Sequence, residues 1–519
     1  MKPDAKYDFM IDEELRGFRT TADEHGSASD FAALAGAYNV RGMFPQALEA
    51  AERATALDPV HFTGWFEYAI AASAVGEEHL HLILESMEGL LEKGKGGVAG
   101  MKTALALTKY YLGDDKAARL LARTAKEADP VHYHALEVLG YIDYNSDDFK
   151  GALEKFQGVI KADDSNFRAH WMVGHCHFEL DDLEAARASY GRAIELQPCF
   201  ANAWFSLGKV LLVEGRLQSA YQCFGKTVSI NPRMWDCYFT QADYYLGHKE
   251  YDSAAAILKR ILELEPGDTV RGEALNYIGE VYLVQRDYDR AQDYFERAIA
   301  YEKQSAVPYN NLGVMLMQQK RIDEAIVQFK IAISKDPSFA YPVTKLGNAY
   351  FLKRQYTKAL ETFSRALEVD PNEYWAWLGA GDVYRRRRRY GKQLEAVRKA
   401  LEIAGEDSDV YNYLGIAYQL LKDPAKAEAA YLRSLELDPF NRKAANNLGF
   451  LYKNLFKESG DEESLAKAVA AWKRRLLICR DTKASNKMAV KQLLELGVDD
   501  ETIRSWLEKE PLEVSSSED

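Results

Sequence analysis

Residues 340–373 read AYPVTKLGNAYFLKRQYTKALETFSRALEVDPNE, and this stretch decides the fold. Within it Leu346 and Gly347 are followed by Tyr350, Ala359, Phe363, Ala366 and Pro371. The closing proline belongs to a series: Pro59, Pro130, Pro198, Pro232, Pro266, Pro337, Pro371 and Pro439. Their separations are 71, 68, 34, 34, 71, 34 and 68, each a multiple of 34 or such a multiple plus three. A fixed period of this size means one supersecondary unit copied many times. The same residue types recur in 306–339 (Leu312, Gly313, Ala325, Phe329, Ala332, Pro337) and in 408–441 (Leu414, Gly415, Tyr418, Ala427, Tyr431, Pro439). Residues 167–200 supply Gly174, Ala186, Tyr190, Ala193 and Pro198.

Each unit carries two apolar stripes at helical spacing, such as Leu312 and Leu316, then Ile326, Phe329 and Ile333. Small residues let the two helices approach, aromatic residues fill the space between pairs, and the proline closes the second helix. One pair cannot bury both stripes, so stability has to come from neighbours stacked in a row. The pattern resembles the tetratricopeptide repeat, a family of 34-residue helix-turn-helix units. The resemblance implies an all-α fold: a right-handed α-solenoid, or superhelix, of stacked antiparallel helix pairs. About thirteen units are expected over 28–480, starting near 28, 62, 99, 133, 167, 201, 235, 272, 306, 340, 374, 408 and 442. Residues 1–27 are expected to form an N-terminal helix and cap, 481–510 C-terminal capping helices, and 511–519 a disordered tail. Asp500 is the expected cap of the last helix. Three-residue insertions near 96–98 and 269–271 explain the odd separations, Gln393 stands where a small residue is expected, and a further insertion falls around Lys457–Glu463.

A solenoid lengthens without an ever-larger core, which suits a chain of 519 residues with no linker in its composition. The net charge of −13 argues against a general nucleic-acid binder, which needs a basic face. No apolar run approaches a membrane span, and Met1–Asp12 lacks a secretory core, so a cytoplasmic protein is expected. Cys176, Cys199, Cys223, Cys237 and Cys479 form no CxxC pair and read as free thiols.

Chemistry is not expected of this chain. Gly89–Gly96 nearly fits a phosphate loop, but Gly96 replaces the magnesium-binding hydroxyl and the segment follows a helix. His170, His175, Cys176 and His177 cluster, with His132 and His134 one unit earlier, yet neighbours on a helix point in different directions. No nucleophile elbow, HExxH motif or placed carboxylate pair occurs. The expectation is therefore a non-enzyme with no catalytic residue, no metal and no cofactor.

The resemblance places the first helix of each unit on a concave face. Carried onto this sequence, it points Asn276, Asn310, Asn311, Asn348, Asn412, Asn446 and Asn447 inward in the C-terminal half. Asn311 and Asn447 match the asparagine ladder of O-linked N-acetylglucosamine transferases, which Tyr277, Lys345, Gly379 and Tyr413 interrupt. A row of amides grips an extended backbone because each donates and accepts at once. In the N-terminal half Tyr141, Tyr144, Trp171, Phe178, Phe205 and Phe239 map inward and suit apolar side chains of a ligand segment. Lys345, Asn348 and Lys443 are too scattered for the family's clamp on C-terminal Glu-Glu-Val-Asp tails. The run Arg385, Arg386, Arg387, Arg388 and Arg389 spans a helix end and turn, and offers a patch for an anion or acidic partner. Together these predict an interaction scaffold or adaptor holding an extended peptide or helix of another protein. The alternative is an assembly or regulatory subunit docking by convex or terminal surfaces, with a homodimer possible.

Overall fold

The computed structural model describes residues 13–93, 98–481 and 485–509. Outside the described residues lie the expected tail 511–519, the end of the Gly89–Gly96 motif, part of the insertion near 96–98 and the start of the chain. Every regular element among the described residues is a helix, and no strand is present. Thirteen antiparallel pairs follow one another, from Ala28–Val40 with Phe44–Leu57 to Arg442–Ser459 with Glu462–Asp481. The quoted stretch folds as Ala340–Leu352 and Tyr356–Val369, and Pro371 follows directly on the second helix.

The joint inside a pair is a glycine facing an aromatic ring sixteen residues later. A Cβ on Gly208 would stand 2.5 Å from Phe224, one on Gly313 2.7 Å from Phe329, and one on Gly347 2.5 Å from Phe363. In the last pair Gly449 faces Trp472 at 2.7 Å, and the longer separation reflects the inserted residues around Lys457–Glu463. That insertion is absorbed as helix, since Arg442–Ser459 runs 18 residues and Glu462–Asp481 runs 20. The insertion near 269–271 likewise lengthens a helix, Asp268–Val284, to 17 residues where neighbours have 12 or 13. Between the helices of a pair one residue takes the left-handed conformation: Gly42, Gly113 and Gly215 in three units, but Asp147, Lys320, Arg354 and Arg388 in others.

Packing divides the chain into two compact units, Met1–Pro266 and Gly267–Asp519, where the period alone suggests one unbroken array. In the first, helix Glu13–His25 sets Leu15 and Ala22 among Leu34, Tyr38 and Met43. This unit also departs from purely neighbour-to-neighbour stacking. Val40 shares a cluster with Ala193, Phe200 and Ala203, and Gly42 lies so near Asn231 that a Cβ would meet its amide at 2.3 Å. The first pair therefore meets the sixth. In the second unit Trp472 and Leu476 pack with Leu493 and Ile503 of the two terminal helices. Asp499, not Asp500, caps the last helix: its Oδ1 accepts the Thr502 N–H at 2.7 Å.

Candidate functional site

First helices of consecutive pairs lie side by side in the C-terminal unit, and this arrangement sorts the predicted asparagines into two groups. One group joins helix to helix. Asn311 Nδ2 donates to Asn276 Oδ1 at 3.0 Å and to Glu280 Oε1 at 2.6 Å, while Asn447 Nδ2 donates to Asn412 Oδ1 at 2.9 Å. Asn276, Asn310 and Asn412 are buried. Asn276, Asn311, Asn412 and Asn447 thus bond between helices, while Asn310 donates only to its neighbour Asn311 at 3.1 Å and its buried Oδ1 has no partner among the described residues. Asn348 and Asn446 are half-buried, and among the described residues their side chains make no hydrogen bond.

A recess of about 360 Å³ gathers Asn412, Asn446, Asn447 and the ladder-breaking Tyr413 with residues the sequence reading passed over: Asp382, Arg442 and Arg475. Arg385 and Lys443 complete its cationic lining. Asp382 is occupied, since Arg385 donates to its Oδ1 at 2.7 Å and Tyr413 to its Oδ2 at 3.2 Å. Lys443 pairs with Asp409 at 3.1 Å. Arg442 is exposed and makes no side-chain hydrogen bond among the described residues. Arg475 is half-buried; its Nε is buried without a partner, and its Nη1 reaches only Cys479 Sγ at 3.8 Å. Burial, and beyond it the charge of Arg442, holds the Arg475 guanidinium below its ordinary range.

The structure places the five arginines of the run in different surroundings. Arg385 turns into the recess, Arg387 donates to Thr357 Oγ1 at 2.8 Å, and Arg386, Arg388 and Arg389 are exposed around the turn.

In the N-terminal unit Tyr141, Tyr144 and Trp171 line one cavity of about 460 Å³. Tyr110 stacks on Tyr141 with centroids 6.0 Å apart, and Trp171 meets Phe200 edge-on at 5.3 Å. Tyr141 donates to Glu137 Oε1 at 3.0 Å, and Trp171 Nε1 to Ser206 Oγ at 3.0 Å. Phe205 and Phe239 are not part of this cavity: Phe205 packs 6.1 Å from the Phe224 ring, and Phe239 is buried. A ring at an inward position packs on the next helix as readily as it faces the lumen. The histidines take separate partners, His170 with Asp164 and His177 with Asp182, while His175 lines the aromatic cavity. At the cavity lining Arg168 clamps Glu67 through bonds of 2.8 and 3.0 Å. These residues are 101 apart in sequence, so no local period reveals the pair.

Profiles described as tetratricopeptide repeat match residues 103–167, 239–300, 276–338, 344–409 and 408–441, and a TPR repeat profile matches 174–215. Together they cover more than half of the chain. No curated protein sequence matches it. Solved structures similar to the chain include yeast Tom70, 14% identical over 82% of this chain and 93% of that one, with a TM-score of 0.45. The APC/C hetero-tetramer Cut9–Hcn1 is 16% identical over 86% and 95%, with a TM-score of 0.39. PilF of Pseudomonas aeruginosa is 20% identical over 41% and 95%, with a TM-score of 0.34.

Proposed function

Since the chain belongs to the tetratricopeptide repeat family, we propose that it is a protein-interaction scaffold without chemistry of its own, one that holds an extended, acidic segment of another protein in the recess beside Arg442 and Arg475. The observation that carries this reading is the pair of neighbouring guanidiniums, one of them partly buried with an unpartnered Nε. A carboxylate between them would relieve their repulsion and satisfy the buried donor, and charge-assisted bonds of this kind are the stronger ones. Asn446 then offers a donor and an acceptor to the segment's backbone. Arg386, Arg388 and Arg389 add a positive field in a protein of net charge −13, steering an acidic segment before contact is made. No described helix is long and apolar enough to cross a membrane. Cytoplasmic residence fits five cysteines that form no disulfide among the described residues.

The test is fluorescence anisotropy with extended peptides that differ only in the number and spacing of Asp and Glu residues. Acidic members are expected to bind, with an affinity that falls as salt rises. Arg442→Gln combined with Arg475→Gln should weaken them by about tenfold or more, the loss of one buried charge-assisted contact. Equal affinity for neutral peptides, or an unaltered acidic affinity in the double variant, would remove the reading.

A further inference from the structure

The aromatic cavity of the N-terminal unit is separate in sequence and chemistry from that recess. Two of its lining residues, Asn39 and Arg168, are fixed on the buried Glu67. Asn39 is 8% exposed, and its Nδ2 donates both to the Glu67 carbonyl at 3.0 Å and to Glu67 Oε2 at 2.8 Å. Arg168 donates to both oxygens of the same carboxylate. With Nδ2 spent twice, the orientation of the Asn39 amide is set. Its Oδ1 is buried, lies on a residue lining the cavity, and accepts no hydrogen bond among the described residues. A buried acceptor left without a donor costs about 1–3 kcal/mol.

The walls are aromatic, from Tyr110, Tyr141, Trp171 and Phe200. Rings so placed favour another ring, stacked or edge-on. No lining side chain offers an unpaired charge: Arg168 is paired with Glu67, and burial pushes the His175 imidazole down to about 4, leaving it neutral at pH 7. The volume, about 460 Å³, lies in the range of small-molecule sites.

We propose that this cavity binds a flat, uncharged aromatic group carrying an N–H donor, of which indole is the simplest, with the ring against Trp171 and Tyr141 and the N–H donating to Asn39 Oδ1. Both a free aromatic compound and a tryptophan side chain of a bound segment carry this chemistry.

Calorimetry on the full-length chain tests it with indole, N-methylindole and the blocked peptide acetyl-Gly-Trp-Gly-amide. Indole is expected to bind, and N-methylindole, which keeps the ring and loses the donor, to bind at least about tenfold more weakly. Ala74 is exposed at the cavity rim, so Ala74→Trp should fill the cavity from outside and abolish indole binding with an unchanged melting temperature. Peptide binding as tight as that of indole assigns a side chain of a partner segment; binding of indole alone assigns a free compound. The proposal is overturned if indole gives no heat, if methylation leaves its affinity unchanged, or if a folded Ala74→Trp protein still binds it. The N-methylindole comparison needs no variant and decides the matter even if Ala74→Trp fails to fold. Acidic-peptide binding at Arg442 and Arg475 should persist in Ala74→Trp, so the two sites stand or fall separately.

Discussion

Gln393 occupies the position filled elsewhere by Ala325, Ala359 and Ala427, and the structure buries it completely. Neither its Oε1 nor its Nε2 finds a partner among the described residues. The same unit lacks the usual ring, with Val397 sixteen residues after Gly381, so the longer side chain fills room that an aromatic fills in other units. Shape is served and polarity is not. Gln393→Met keeps the length and removes both stranded polar atoms, and is expected to stabilise the protein by about 1–3 kcal/mol. Chemical denaturation followed in the C-terminal unit reads this as a higher midpoint; a lower one would mean that the amide is bonded in solution. The break in the repeat at Gln393 is plain in the sequence. Its burial without partners is not, because that depends on which neighbours surround it.

Helices and their turns were the most legible level. A stripe such as Leu312 and Leu316, and a glycine facing a ring sixteen residues on, are local patterns that survive transfer from sequence to coordinates. Side-chain roles on those helices were legible only in part. Adjacent positions on a helix differ by about 100°, so Asn446 keeps its amide unbonded among the described residues while its neighbour Asn447 bonds across to Asn412. Least legible was the return of the first pair onto the sixth, which joins helices far apart in the chain. Beside it an ion pair joins the second pair to the fifth, between Glu67 on helix Phe62–Val75 and Arg168 on helix Phe167–Glu179. Arg168→Met strands a buried carboxylate and is expected to cost about 3–5 kcal/mol, whereas combining it with Glu67→Met removes both charges and should restore much of that loss. Denaturation midpoints of the two single variants and the double variant close the cycle; equal instability of Arg168→Met and the double would show that packing, not charge, is what was lost.

A solenoid's stability is approximately a sum of unit terms and nearest-neighbour interfaces, so damage normally spreads outward from where it is made. Two features change that expectation here. Packing separates Met1–Pro266 from Gly267–Asp519, and within the first of these the contacts of Val40 with Phe200, and of Asn39 and Arg168 with Glu67, tie distant pairs together. Such cross-links make the N-terminal unit behave less like a row and more like one cooperative body. Gly208→Val would drive side-chain atoms into Phe224, which already stands 2.5 Å from where a Cβ would lie, at a cost of about 1–3 kcal/mol. Hydrogen exchange measured by mass spectrometry should then show faster exchange along all the pairs between 28 and 263, including helix Phe62–Val75, four pairs away. Helices Ile322–Lys335 and Tyr356–Val369, which carry Phe329 and Phe363, should keep their protection. A loss confined to the pairs on either side of Gly208 would contradict the cooperative body, because it is what uncoupled neighbours alone would give. Loss of protection at Phe329 and Phe363 would contradict the division at Pro266.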